Sequence, residues 1–412
     1  MSRADSTAVR AATAGRPSRG LIALLAALAA IGALSTNIIL PAFPAIAASL
    51  GIPASQLGLT LSIFFVVFAF GQLLVGPVSD RYGRRRLVIG GLLVFAAGSA
   101  VCALAGELST LMLGRAVQAA GVCAASVLAR AIARDLFEGE SLARVLSMVI
   151  VAMAAAPGFS PLLGGLAQQS IGWRMSFLGV GALGVMLALW YAVRLPETHH
   201  PSRRAPLALG PVTRGYATLL LDGRFLRPAM AVACVIGALY AFFTAAPIIL
   251  LGPMGLSTLG LGIFFAATVP VVFAAGLAAP RLARRWGAAR TARVGILLAL
   301  AGGALLCILG LSAEYRLAPF VACLCVFLVG MGIVNPLSTA MSLAPFGAQA
   351  GAASAMLGFL QMIGASIGAT LVTKIDASST LATLGAIIVV AQLLALVSTF
   401  TPKAAKPVAT PG

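Results

Sequence analysis

Polar positions along this chain come in short bursts, and long apolar stretches run between them. One stretch, "LGLTLSIFFVVFAFGQLLV", ends abruptly in "GPVSDRYGRRR", Gly76 to Arg86. A helix rises about 1.5 Å per residue, so roughly 20 apolar residues cross the ~30 Å hydrocarbon core of a bilayer. Twelve such segments can be placed: 20–48, 56–79, 86–106, 109–134, 142–169, 174–195, 229–251, 257–281, 291–311, 316–342, 348–373 and 379–401. The expected fold class is an all-α membrane protein of twelve transmembrane helices.

Composition agrees with that pattern. Of 412 residues, 60% are hydrophobic and 9% charged, whereas a soluble domain carries roughly a quarter charged residues. The net charge of +18 would suggest nucleic acid in a soluble protein. Here the arginines cluster between apolar segments, so the partner expected is the lipid bilayer and no nucleic acid. The N-tail, the loops near 80–86, 130–144, 194–228 and 281–293, and the C-tail hold all the lysines and arginines except four. Arg174, Arg316 and Lys374 fall on the other side, and Arg115 falls within a span. This bias puts both termini in the cytoplasm of a bacterial-type inner membrane and supports an even number of spans. The basic lead Arg10, Arg16 and Arg19 before "LIALLAALAAIGAL" imitates a signal peptide. Apolar character continues through "STNIILPAFPAIAASL", so the segment reads as an uncleaved first span.

The longest polar interruption separates spans 6 and 7. It divides the chain into an N-tail (1–19), a first six-span bundle (20–195), a central loop (196–228), a second bundle (229–401) and a C-tail (402–412). Within the loop, "PLALG" and "ATLLL" suit a short helix on the membrane surface. The halves echo each other, with "SDRYGRR" after span 2 and "ARRWGAAR" after span 8. Six plus six spans with a basic central loop is the plan of transporters built from structural repeats, with the pathway between the halves.

Other chemistry finds little support. Cys102, Cys123, Cys234, Cys307, Cys323 and Cys325 lie inside apolar segments, and the histidines, His199 and His200, are adjacent in a loop. That gives no metal spacing, and the cysteines read as small packing residues. No metal or cofactor is expected. A P-loop needs Lys followed by Ser or Thr, but Lys374, Lys403 and Lys406 precede Ile375, Ala404 and Pro407. No nucleophile–base or paired-carboxylate set suggests an enzyme, and no filter-like segment suggests a channel.

Three motifs resemble the major facilitator superfamily. "GPVSDRYGRRR" is similar to its G-x-x-x-D-R-x-G-R-[RK] loop, "RAVQAAG" (115–121) to its R-x-x-Q-x-x-G pattern, and "APGFSPLLGG" (156–165) to its antiporter motif. "LSTNIILPAFPAIA", "ARAIARDLFEGE", "LPETHH" and "AGAASAMLGFLQMIGASIGA" resemble its bicyclomycin-resistance (Bcr/CflA) drug-efflux branch. The resemblance covers nearly the whole chain and implies two six-helix bundles related by pseudo-symmetry. It also implies a latch of Gly76, Asp80, Arg81, Gly83 and Arg84 that stabilises one access state. Asp80 beside Arg81 and Arg84 offers charge-assisted hydrogen bonds, and the glycines permit close approach or a sharp turn. The plainer reading is topological anchoring by the arginines. In the second half, Arg284 or Ala283 stands where a matching acid would be, so any latch is asymmetric.

Arg115 and Gln118 share a face with Val122 and Ser126, a polar stripe that suits the bundle interior; snorkelling to the surface is the alternative. The resemblance assigns this arginine to coupling and cavity organisation. Pro157, Pro161, Gly164 and Gly165 would form a bend and seam that help set export direction, or ordinary packing. In span 1, Asn37, Pro41 and Pro44 share one face at i, i+4 and i+7. Members of the branch usually carry Asp where Asn37 stands, and Asn37 cannot titrate. It suits a polar contact to substrate or a helix–helix hydrogen bond.

No acid falls mid-span. Asp5, Asp80, Asp135, Glu138, Glu140, Glu197 and Asp222 lie at the basic side, and Glu107, Glu314 and Asp376 at the other. Proton coupling is thus implied by the resemblance alone, with Asp80, Glu107 and Asp135 as substitutes for the missing acid. Tyr240, Phe243, Asn335 and Gln361 are candidates for cavity walls. The expected function is a monomeric inner-membrane exporter of small amphipathic drugs or toxic metabolites by alternating access, in exchange for protons. The alternatives are an exporter or facilitator of a specific sugar or amino-acid derivative without proton coupling, and a transport-inactive sensor or receptor on the same scaffold.

Overall fold

The computed structural model describes residues 18–199, 209–312, 315–374 and 380–399. Most of the N-tail, the C-tail, His200, Glu314 and Asp376 lie outside the described residues. Among the described residues, twelve helices are long and apolar enough to cross a membrane: Arg19–Leu50, Ala54–Tyr82, Arg84–Leu104, Leu108–Leu136, Gly139–Ser170, Trp173–Arg194, Gly223–Leu251, Thr258–Trp286, Ala288–Leu311, Leu317–Gly347, Ala350–Thr373 and Thr380–Thr399. They are numbered spans 1 to 12. Most ends fall within a few residues of the expected ones. Span 7 starts earlier than expected, at Gly223, because the Asp222 carboxylate accepts the Arg224 N–H at 2.8 Å and caps the helix.

Span 1 is broken inside its length. Its first helix, Arg19–Asn37, gives way to a 3-10 turn at Leu40–Ala42 and a second helix, Phe43–Leu50. Pro41 and Pro44 each remove a donor and crowd the carbonyl four residues back, so the regular ladder cannot continue. Asn37, Pro41 and Pro44 therefore do not share one continuous helical face.

The helices pack as two six-span bundles with matched neighbours. Span 1 lies against spans 4 and 5 as span 7 lies against spans 10 and 11. Span 3 lies against spans 4 and 6 as span 9 lies against spans 10 and 12. The seam between bundles consists mainly of span 2 against span 11 and span 5 against span 8. The match reaches single turns. Gly83 (φ 91°) and Gly287 (φ 82°) both join one span to the next in a backbone conformation that side-chain-bearing residues rarely adopt. Aligning these glycines puts Arg284 at the place of Asp80.

Before span 7 the chain forms a linker helix, Leu209–Leu221. It includes all of "ATLLL", whereas most of "PLALG" lies outside the described residues. Leu219 is buried with Met356 and Leu357 of span 11. The Tyr216 hydroxyl donates to the Leu73 carbonyl of span 2 at 2.9 Å, so one short helix touches both bundles.

Candidate functional site

A cavity of about 380 Å³ lies between the bundles. Thr36 of span 1, Phe64, Phe65, Phe68 and Gln72 of span 2, and Ser126, Arg130 and Arg134 of span 4 line one side. Tyr240 of span 7, Thr339 of span 10, and Ser354 and Gln361 of span 11 line the other. Its deep end is aromatic: the Phe65 and Tyr240 rings meet across the seam at 4.4 Å between centroids.

The cavity runs into a second space of about 500 Å³ that shares Gln72, Val127, Arg130, Arg134 and Ser354 with it. This mouth lies at the arginine-rich end and is lined by Gly76, Asp80 and Arg84, the linker helix, and the start of span 11 from Gln349. The Asp80 side chain is 50% exposed there. No atom comes within 4 Å of the place where a Gly76 Cβ would stand. The close backbone approach expected of Gly76 is thus not made in this structure.

Charges at the mouth form a network within the first bundle. Arg84 pairs closely with Asp135 at the end of span 4 and lies 3.8 Å from Asp80. It also donates to the Ser79 hydroxyl at 3.3 Å. Glu197 accepts the Arg84 N–H at 2.9 Å and the Arg85 N–H at 3.3 Å, capping span 3 from beyond span 6. Arg81 turns to the Tyr82 ring, 5.4 Å from its centroid.

The opposite end is closed by small residues and hydroxyls. The Ser62 hydroxyl donates to the Ser366 carbonyl at 3.2 Å, and the Ser366 hydroxyl donates to the Ser62 carbonyl at 3.1 Å. The Thr370 hydroxyl joins them at 2.8 Å from the Ser62 oxygen. A Cβ on Gly58 would meet Thr373 at 2.6 Å and Thr244 at 2.8 Å. In span 5, a Cβ on Gly165 would meet the Thr258 carbonyl of span 8 at 2.6 Å, and one on Gly164 would collide with the Ile38 carbonyl of span 1. Pro161 is buried beside them and Pro157 is half-buried. Contacts this tight need glycine, and no water-sized path separates the helices at these positions. Glu107 lies on this end, where Ser109 and Thr110 donate to its carboxylate and hold its pKa below the usual range.

Arg115 is fully buried inside the first bundle and lines neither space. It donates to the Ser35 carbonyl at 3.1 Å and to Gln118 Oε1 at 2.8 Å, and it lies 4.5 Å from the centroid of Phe64. Gln118 in turn donates to the Ser99 hydroxyl at 2.7 Å. The pair thus ties spans 1, 2 and 3 to span 4, directly behind an aromatic wall of the cavity. Asn37 is buried and lines neither space, but it stands behind the wall: its amide donates to the Ala33 carbonyl at 2.7 Å, and its side chain faces the hydroxyl of Tyr240.

Of the cavity walls expected from sequence, Tyr240 and Gln361 line the space. Phe243 instead packs behind Tyr240 against Phe265, at 5.1 Å between centroids. Asn335 is half-buried and lines neither space. Sequence reasoning missed Gln72, Phe64, Phe65, Phe68 and the arginines Arg130 and Arg134. The last two were accessible: extending the stripe of Gln118, Val122 and Ser126 by two more turns reaches them.

A model of the Major Facilitator Superfamily matches residues 25–369. The chain belongs to this superfamily. It is 33% identical over 337 residues to a chloramphenicol resistance protein of Pseudomonas aeruginosa, covering 80% of this chain and 76% of that protein. It is 29% identical over 365 residues to a bicyclomycin resistance protein homolog of Haemophilus influenzae, covering 87% and 90%. The superfamily fold also appears in a bacterial homolog of the human lysosomal transporter Spinster, solved in an inward-facing, unoccupied conformation. That match has a TM-score of 0.74 at 16% identity, over 92% of this chain and 96% of that one. As a superfamily member with drug-resistance relatives, the chain places its most family-like loop, around Asp80, at the mouth of the cavity.

Proposed function

We propose that the protein exports small amphipathic drugs or toxic metabolites across the inner membrane by alternating access, in exchange for protons. One observation carries this reading: a cavity between two pseudo-symmetric bundles opens at the arginine-rich end, while inter-bundle contacts close the other end. The basic bias assigns the open end to the cytoplasm. The cavity would load there, and rocking of the bundles would close the mouth around Asp80 and part the Ser62–Ser366 contacts. The relatives' names, which speak of chloramphenicol and bicyclomycin resistance, support drug efflux as the use. Proton exchange rests on the family resemblance, and Asp80 is the sole carboxylate among the lining residues of either space.

A second reading has its own observation. No described carboxylate lines the inner cavity, and Asn37 cannot titrate, which favours passage of a specific metabolite without proton coupling. Chloramphenicol accumulation separates the readings in cells that lack their own pumps and express this protein. Accumulation that falls, and is restored by a protonophore, supports exchange for protons. A fall that the protonophore leaves unchanged supports the uncoupled reading. No change for chloramphenicol or for a panel of amphipathic compounds and metabolites removes export and leaves a transport-inactive sensor.

A further inference from the structure

Arg130 and Arg134 stand one helical turn apart on span 4, and both line the cavity and its mouth. Other arginines close to the site have partners: Arg84 has Asp135, and Arg115 has Gln118 and the Ser35 carbonyl. Among the described residues, Arg130 and Arg134 make no ion pair. Among the described residues that line the mouth the one acid is Asp80, which already sits 3.8 Å from Arg84, and Asp135 close by pairs with Arg84 too. Two like charges at i, i+4 repel; Arg134 is exposed at the mouth, and Arg130 is half-buried without a counter-ion, which adds to the cost. One turn deeper on the same stripe, the buried Ser126 hydroxyl has no hydrogen-bond partner, nor does the Gln72 amide nitrogen across from it. Beyond them lies the aromatic end formed by Phe65 and Tyr240.

The cavity therefore combines a surface for an aromatic body with two guanidinium groups that lack an anion. Guanidinium donors match the planar oxygens of a carboxylate or sulfonate and can grip them in pairs. We infer that the preferred substrates are amphipathic anions, with the ring against Phe65 and Tyr240 and the acidic group between Arg130 and Arg134. A lipophilic cation finds no counter-charge in the inner cavity and meets two like charges on the way in. This inference rests on the export reading and narrows its substrate class.

A matched set of probes tests it: 2-naphthoate, 2-naphthylmethanol and 2-naphthylmethylammonium share one ring system and differ in charge. Binding is read as the rise in melting temperature of the purified full-length protein, since a ligand of the folded state stabilises it by RT ln(1 + [L]/Kd). The expected result is that naphthoate acts at concentrations at least about tenfold below the ammonium compound. The double variant Arg130→Gln, Arg134→Gln should lose that preference while still responding to neutral naphthylmethanol, which shows the cavity intact. Arg130→Lys with Arg134→Lys should keep part of it. An ammonium compound that binds as well as naphthoate overturns the inference, as does a double Gln variant with undiminished anion preference. If chloramphenicol is exported and naphthoate shows no advantage, export stands and the anion inference falls. If no probe binds and no compound is exported, both fall.

Discussion

The two ends of the seam between the bundles are built from different chemistry. At the closed end, Ser62, Ser366, Thr370, Gly58 and Gly165 bring the two bundles into direct contact. At the open end, Asp80, Arg84, Asp135 and Glu197 form a charged network that stays within the first bundle and leaves the second untouched. Packing contacts act over a few tenths of an ångström, so they form only when the bundles are fully seated. Charges act over longer distances and can be exchanged with water at little cost. Close packing and hydroxyl bonds across the seam at one end, with an exchangeable charged network that does not cross it at the other, suit the rocking proposed above.

The contrast can be broken most severely at Asp80. Asp80→Asn keeps the size of the side chain and removes its charge. Net export of chloramphenicol is expected to fall to the level of cells without the protein, with the melting temperature unchanged. Full export in this variant would reduce the loop to an anchor. At the other end, Gly165→Ala drives a methyl group into the Thr258 carbonyl across the seam. It is expected to cost about 1–3 kcal/mol as overpacking, visible as a lowered melting temperature. Gly179→Ala, with nothing within 4 Å, should leave melting unchanged, and equal effects of the two would mean that the closed end is not tightly packed.

Asn37→Asp places a titratable group between the two ends, and a pH-dependent step in export should appear or grow stronger than in the parent protein. An unchanged pH profile would take this side chain out of the transport cycle. The smallest effect is expected from Ser62→Ala and Thr370→Val, whose hydroxyls bond each other across the seam. A double-mutant cycle on melting should give a coupling of about 0.6 kcal/mol, the average for such pairs inside membranes. Zero coupling would mean that the hydroxyls do not bridge the bundles.

The spans were legible because lipid imposes a length and a composition on every crossing helix. The asymmetry of the two loops was legible too, since Asp80 has no acidic counterpart around Arg284. What escaped was set by three-dimensional register. The spacing of Asn37, Pro41 and Pro44 suggested one helical face, but the first helix stops at Asn37 and the prolines fall in the turn and the helix beyond it. The partners of Arg115 come from span 1 and its own turn, and only the first-bundle packing selects the Ser35 carbonyl. Ser62 and Ser366 are separated by 304 residues, and nothing local in either segment marks them as a pair. Phe243 and Asn335 were reasonable wall residues by type, yet helix rotation turned both away from the space.

Opposed motion of the two ends is the heart of alternating access, and spin-label distances measure it directly. Label pairs at Ser55 and Lys374 bracket the closed end, and pairs at Tyr82 and Gln349 bracket the open one, on a background in which the six free cysteines are replaced. In lipid nanodiscs, with and without chloramphenicol or naphthoate, one distance is expected to lengthen as the other shortens. Two distances that stay fixed, or that change in the same sense, would contradict it.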